Sequence, residues 1–317
     1  MKFIKLPLML TLAAIGFGTA QAKDEIYIPV VSKGYQHEFW QTVKLGSDTA
    51  AEELGIKTSF VGPADETQIS QQIQLMEDMM ARNPEAILLA ALDSNALVLP
   101  VEEAKSRGIE IATFDSGVNS DIPKSFIATN NIKAGGDAAM ALGQMLKGKG
   151  KVGIVAHVAG TQSAIERSNG FIDAMKKYYP EINLLEVQYS DGDPQKSMDK
   201  TIDMYRANPD LAAVYATNEG ATLGVANAID SMNLAGKVLV VGFDSTEGII
   251  SFLKAGTIQG FVVQDAYQIG YQGLKTLYAV LKGKNVPPVM DIPVKVITAD
   301  NIDSPEMQTL LYPFGKK

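Results

Sequence analysis

The chain has 317 residues, with 28 Lys and Arg against 36 Asp and Glu, a formal net charge of −8, two His and no Cys. Such a balance repels phosphate backbones and disfavours nucleic-acid binding, which needs clustered basic residues that release counterions. The lack of thiols and the scarcity of imidazoles leave little for a His/Cys metal site or an activated nucleophile, and a chain of this length can bury two cores without disulfides.

The first 22 residues read MKFIKLPLMLTLAAIGFGTAQA. Lys2 and Lys5 precede an apolar run, and Ala20-Gln21-Ala22 supplies the small-x-small pattern that a signal peptidase cuts after. The run, roughly 12 residues, falls short of the ~20 that a bilayer-spanning helix needs. Residues 1–22 are therefore expected to be an export signal cleaved after Ala22, which removes two lysines and leaves the mature chain more acidic still.

Beyond it, short β-rich apolar runs are interleaved with helix-length amphipathic stretches. In chain order, the pattern predicts a strand at Ile26–Val31, a helix at Thr42–Leu54, a strand at Thr58–Val61, a helix at Ile69–Met80 and strands at Ala86–Leu89 and Ile109–Phe114. It continues with a helix at Ala134–Leu146, a strand at Val152–Val158 and helices at Ile165–Tyr178 and Lys196–Arg206. A strand at Ala213–Thr217, a helix at Ala221–Met232 and strands at Val238–Phe243 and Gly260–Gln264 follow. Continuous apolar strands between helices imply an α/β protein with parallel sheets covered on both faces. Gly55, Gly108 and Gly236 stand where a left-handed helix stop is wanted before the next strand, and Asn83-Pro84 and Asn208-Pro209 occupy equivalent places in two similarly built halves.

Two nucleotide-binding motifs are accidental. The G-x-G-x-x-G of Gly148 to Gly153 precedes a strand instead of following one, and the P-loop-like run from Gly143 to Lys149 continues with Gly150 where Ser or Thr must bind magnesium. No H-E-x-x-H, G-x-S-x-G or D-x-D-x-D-G sequence occurs, so no catalytic or metal centre and no cofactor is expected.

What remains is a set of polar residues at one topological position, because ligands of open parallel sheets sit beyond the carboxyl ends of the strands. The strand ends supply Lys33, Asp65, Asp93, Asp115, His157, Asp191, Asn218, Asp244 and Gln264. Helix capping is the simpler role for Asp65, Asp93 and Asp191. Asp115, Asn218 and Asp244 instead directly end strongly apolar strands. Carboxylates accept hydroxyl hydrogen bonds, Asn and Gln both donate and accept, and Phe39 or Trp40, at the start of the first helix, could cover the apolar face of a sugar ring.

At these residues the chain resembles the ribose-type periplasmic sugar-binding proteins, the type I substrate-binding proteins of ABC importers. The resemblance covers essentially the whole mature chain. It is carried by Glu38-Phe39-Trp40, Thr113-Phe114-Asp115-Ser116, the segment Gly160 to Phe171 around Arg167, Thr217-Asn218-Glu219, Val241 to Thr246 around Asp244, and Val263 to Gly270 after Gln264. It implies the periplasmic-binding-protein type I fold: two Rossmann-like lobes with parallel sheets and a three-crossover hinge. Residues 23–129 and 265–288 would form one lobe, 132–260 and 293–317 the other, with crossovers at 130–131, 261–264 and 289–292. Carried over by position, it implies ligand contacts from Phe39, Trp40, Asp115, Arg167, Asn218, Asp244 and Gln264. The chain departs from the ribose-binding pattern at His37-Glu38, where Asn-Pro is usual, at Ser116, where Arg is usual, and at Ala90, where Asn is usual. Glu38 and Ser116 therefore join Lys33 and Asp93 as further candidates. The implied function is a monomeric, non-enzymatic periplasmic protein that binds a monosaccharide or related polyol and delivers it to a membrane permease. A sensory module presenting the same ligand to a receptor kinase or chemoreceptor would carry the same residues.

Overall fold

The computed structural model describes residues 25–312; the expected signal segment lies outside them. The first part of the chain runs β1 (Tyr27–Val31), α1 (Glu38–Leu54), β2 (Lys57–Val61), α2 (Ile69–Met80), β3 (Ala86–Leu89), α3 (Val98–Ser106), β4 (Glu110–Phe114) and β5 (Phe126–Ala128). The second runs α4 (Asn131–Met145), β6 (Gly150–Ala156), α5 (Gln162–Tyr178), β7 (Ile182–Leu184), β8 (Gln188–Tyr189), α6 (Pro194–Ala207), β9 (Leu211–Ala216), α7 (Glu219–Ser231), β10 (Leu239–Phe243), α8 (Glu247–Ala255) and β11 (Gly260–Gln264). The chain then continues through α9 (Ala266–Leu281), β12 (Val289–Asp291), β13 (Val294–Thr298) and α10 (Pro305–Leu311).

The strands form two sheets, ordered β12-β5-β4-β3-β1-β2 and β13-β11-β10-β9-β6-β7, with β8 also paired to β6. Every pairing is parallel except that of β13 with β11. The β1, β3 and β4 strands and their counterparts β6, β9 and β10 are largely apolar and buried, as parallel strands covered on both faces must be. The chain passes between the sheets three times: from β5 into α4, from β11 into α9, and from β12 into β13. Residues 261–264 and 289–291 are themselves strand residues, hydrogen-bonded within one sheet or the other, so the second and third passages fall at Asp265 and at Ile292-Pro293.

Each lobe is tightened by a helix pair in backbone contact. In α1 against α9, a Cβ on Gly46 would meet the Tyr267 carbonyl at 2.0 Å and one on Gly270 the Val43 carbonyl at 2.1 Å. In α4 against α5, Gly135 and Gly170 do the same against the Arg167 and Ile132 carbonyls at 2.1 and 2.0 Å. Gly55 and Gly108, with φ of 62° and 78°, supply left-handed stops that the sequence suggested, whereas α7 is ended by Asn233, φ 57°, and Gly236, φ 73°, lies in the turn beyond it.

Observed helices begin two to four residues before the apolar periodicity does: Glu38 rather than Thr42, Asn131 rather than Ala134, Gln162 rather than Ile165. Polar residues open α4 and α5, at Asn131 and Gln162-Ser163, so apolar periodicity is silent there, whereas α1 opens with Glu38, Phe39 and Trp40, whose side chains line the space between the lobes. Side-chain caps from Asn130, Asp193 and Asn218 fix the starts of α4, α6 and α7 instead.

Candidate ligand-binding site

The carboxyl ends of the two sheets face each other, and eleven side chains enclose one small cavity between them. Lys33, His37, Phe39, Trp40, Glu66 and Asp115 come from one lobe; His157, Arg167, Asn218, Asp244 and Gln264 come from the other. The enclosed space is about 20 Å³, room for a single water molecule. A much larger depression of about 1130 Å³ lies alongside, open to solvent and sharing only Phe39, Asp244 and Gln264 with the cavity. The chemistry is concentrated in the small cavity, where all the charged walls are buried.

Asp115 and Asp244 hold equivalent positions in the two lobes. Each follows the last residue of a central strand in a Phe-Asp-Ser sequence, and each adopts a left-handed backbone, φ 55° and 65°. Asp tolerates that conformation better than most residues, and it turns the carboxylate off the strand end into the cavity. Asp115 Oδ2 lies 2.8 Å from Lys33 Nζ and accepts from Ser116 Oγ at 3.0 Å. Lys33 also donates to Ser116 Oγ at 3.0 Å and, across the lobes, to Ser163 Oγ at 3.3 Å. Asp244 Oδ1 accepts from Gln264 Nε2 at 2.8 Å and Oδ2 from the Glu219 backbone N–H at 3.1 Å. Burial, opposed by Arg167 and Gln264 and reinforced by Glu219 and Asp115, raises the Asp244 pKa to about 6.

Arg167 stacks on Phe243, 3.8 Å from guanidinium carbon to ring centre. Its Nε donates to Asn131 Oδ1 and its Nη1 to the Thr217 carbonyl, both at 2.8 Å. It is thus a structural post of its lobe as well as a wall of the cavity. Asn218 caps α7 by accepting the Ala221 N–H at 2.9 Å, which leaves its amide nitrogen 3.5 Å from His37 Nε2.

The two aromatics of α1 divide their work. Trp40 is fully buried, edge-on to Phe114 at 6.2 Å, and donates its indole N–H to Glu66 Oε1 at 3.0 Å. Phe39 is half-buried and meets Trp40 edge-on at 4.9 Å. Both line the cavity, and Trp40 is also a core residue.

The further candidates fall in three different places. Lys33 lines the cavity, and Ser116 is buried just behind it in the Lys33–Asp115–Ser163 cluster. Glu38 is exposed and lines the open depression instead. Asp93 caps the loop before α3, accepting the Asn95 and Ala96 N–H groups at 2.8 Å each, and does not reach the cavity. Asp65 and Asp191 are likewise spent locally, on Thr67 and Gln68 and on Lys196.

Sequence reasoning did not single out His37, Glu66 or Glu219 as site residues. His37 Nδ1 lies 3.6 Å from Glu219 Oε1, in the other lobe, and Nε2 lies 4.0 Å from Glu66. Burial disfavours its protonation, but the hydrogen bond to Glu219 and the fields of Glu66, Glu219 and Asp244 outweigh that, and its pKa is raised. His157 is the opposite case: burial, Lys33, Arg167 and His37 all push its pKa well down.

A family model for the periplasmic binding protein domain matches residues 28–285. The chain belongs to the periplasmic binding protein family. Among its ribose-type members, the D-allose-binding periplasmic protein of Escherichia coli is 32% identical over 83% of this chain and 87% of its own length. The ribose import binding protein of Haemophilus influenzae is 30% identical over 88% and 93%. Among solved structures, a carbohydrate transporter solute-binding protein from Agrobacterium radiobacter in complex with D-arabinose superposes with a TM-score of 0.88, at 35% identity, covering 92% of this chain and all of that one. One from Agrobacterium vitis with bound D-fucose gives 0.87 at 35%, covering 90% and 100%. This periplasmic binding protein therefore has the type I architecture of two α/β lobes, and its cavity stands where such folds bind ligands.

Proposed function

We propose that this chain is the periplasmic substrate-binding component of an ABC importer, exported by cleavage after Ala22, monomeric, and closing on a monosaccharide or related polyol between its lobes. The observation that carries the reading is the composition of the cavity wall. Carboxylates, amides and cations from both lobes converge on a space flanked by two aromatic rings, which matches the hydroxyls and apolar face of a sugar. The similarity to allose-binding and ribose-import proteins and to solute-binding proteins holding D-arabinose and D-fucose supports it. Because those groups are buried and the space is small, a sugar enters only when the lobes part, and closes them around itself on binding.

Turnover is not part of this reading. His157 Nε2 does lie 3.0 Å from Ser163 Oγ, but its other nitrogen meets Thr217 Oγ1 at 2.8 Å, not a carboxylate. An imidazolium formed there would face Lys33 and Arg167, so the pair is poorly suited to general-base activation of the serine.

Thermal melting of the periplasmically purified protein with D-allose, D-ribose, D-arabinose, D-fucose and D-tagatose tests the reading. A sugar at 100 times its Kd should add ~2.7 kcal/mol to stability. Mass spectrometry of the same sample should find Lys23 first. No shift with any of the sugars would refute the assignment.

A further inference from the structure

The loop after β2 carries a carboxylate whose position the fold does not explain. Glu66 is 3% exposed and lines the cavity beside His37 and Trp40. Its Oε1 accepts the Trp40 indole N–H at 3.0 Å, whereas Oε2 is buried and has no hydrogen-bond partner among the described residues. A second orphan faces it from the other lobe: Gln264 gives its amide N–H to Asp244, and its Oε1 is likewise buried without a partner. Burying an acceptor without a donor is costly, and most of all when the acceptor is charged. The indole alone could be satisfied by a neutral acceptor. A carboxylate is needed only if its second oxygen also receives a hydrogen bond.

We infer that Glu66 is a ligand-binding, specificity-determining residue, whose Oε2 accepts a hydroxyl hydrogen from the sugar at the Trp40 end of the cavity. The Gln264 Oε1 accepts another at the opposite wall. The inference rests on the sugar-binding reading above and narrows it. The ligand must present hydroxyl donors at both ends, and a carboxylate or phosphate group cannot occupy the Glu66 end, where His37 is already shared between Glu66 and Glu219.

Glu66→Gln is the discriminating variant, because it keeps an acceptor for the indole and turns the other atom from acceptor into donor. Calorimetric titration would use whichever of the five sugars raises the melting temperature most, together with its singly deoxygenated analogues. Affinity for the parent sugar should fall at least about tenfold, the usual effect of losing a hydrogen bond to a buried charge. One deoxy analogue should bind the wild type correspondingly weakly yet be indifferent to Glu66→Gln, a coupling that a merely structural glutamate would not produce. Melting of the ligand-free variant checks the fold, with Glu66→Asp, which withdraws the carboxylate by one methylene, as the second variant. Asp115→Asn runs in parallel. Affinity within twofold of wild type for Glu66→Gln, alongside a large loss for Asp115→Asn, would overturn the inference and leave the site reading intact. Native affinity in both would overturn the site itself.

Discussion

The carboxylate of Glu219, in the first turn of α7, accepts the backbone N–H groups of Glu38 and Phe39, at 3.1 Å each, in the first turn of α1 in the other lobe. The residue before α1, His37, makes no side-chain cap of its own. A carboxylate placed at helix-start donors contributes ~1 kcal/mol through capping, with the helix dipole adding to it. When the lobes separate, those donors return to water. Glu219→Ala should therefore favour the open form, and small-angle scattering of the ligand-free variant should give a larger radius of gyration than wild type. Sugar affinity should fall about five- to thirtyfold, since each ~1.4 kcal/mol is one decade. An unchanged radius and affinity would remove Glu219 from the closure.

His37 makes that contact pH-dependent. Burial opposes protonation of its ring, but Glu219 and Asp244, which reach it from the other lobe, join Glu66 in raising its pKa, so their attraction for the protonated ring favours closure. The contribution is fully present below the ordinary imidazole value of 6.5 and is lost as the pH rises through the higher closed-state value. The groups facing the ring are Glu219, Glu66, the Asn218 amide and, at longer range, Asp244. Affinity measured upward from pH 7, above the titration of Asp244, should decline in the wild type and stay level in His37→Gln. Parallel profiles for the two proteins would contradict the assignment.

Asp244 acts in the same direction on folding stability. Its pKa of about 6 lies above the ordinary 3.8, so the native state holds its proton more tightly than the unfolded chain does. That stabilisation is complete below 3.8 and disappears as the pH rises through about 6. In urea denaturation, the stability of wild type relative to Asp244→Asn should fall by about 2 kcal/mol between pH 4 and pH 7, because a tenfold difference in proton affinity between the native and unfolded states is worth ~1.36 kcal/mol. A constant difference would show that the site tolerates the charge at no cost.

Two neighbouring glycines on α4 should respond in opposite directions. A Cβ on Gly135 would meet the Arg167 carbonyl at 2.1 Å, and backbone cannot yield as a side chain can. Gly135→Ala should cost at least ~1–3 kcal/mol, the range for overpacked cores. At Gly136 the nearest atoms would be 3.9 Å away, so alanine there should be neutral or stabilising by up to ~1 kcal/mol through helix propensity. Equal melting temperatures for the two variants would contradict the packing.

The α/β architecture was legible because buried parallel strands are written as unbroken apolar runs, and Asp115 and Asp244 were legible because each interrupts such a run at its carboxyl end. Glu66 was not. It sits beside Asp65 on the same loop, and nothing local tells which of the two carboxylates caps the turn and which enters the cavity; the path of the loop decides. His37 and Glu219 were hidden for a different reason. They are far apart in the sequence and acquire a role only through each other, when the two lobes come together. The starts of α4 and α5, at Asn131 and Gln162, escaped the apolar periodicity because polar residues open both helices.

The three passages of the chain between the sheets have a mechanical consequence. A single connection would let the lobes swivel freely, but three neighbouring connections behave like the knuckles of a door hinge, compliant to bending about one line and stiff to twisting. The orientational search is thereby done in advance, and each closing stroke returns Glu219 to the same helix end and Lys33 to the same serine. Selectivity can then reside in single atoms of the wall, because the two halves of the wall always meet in the same alignment.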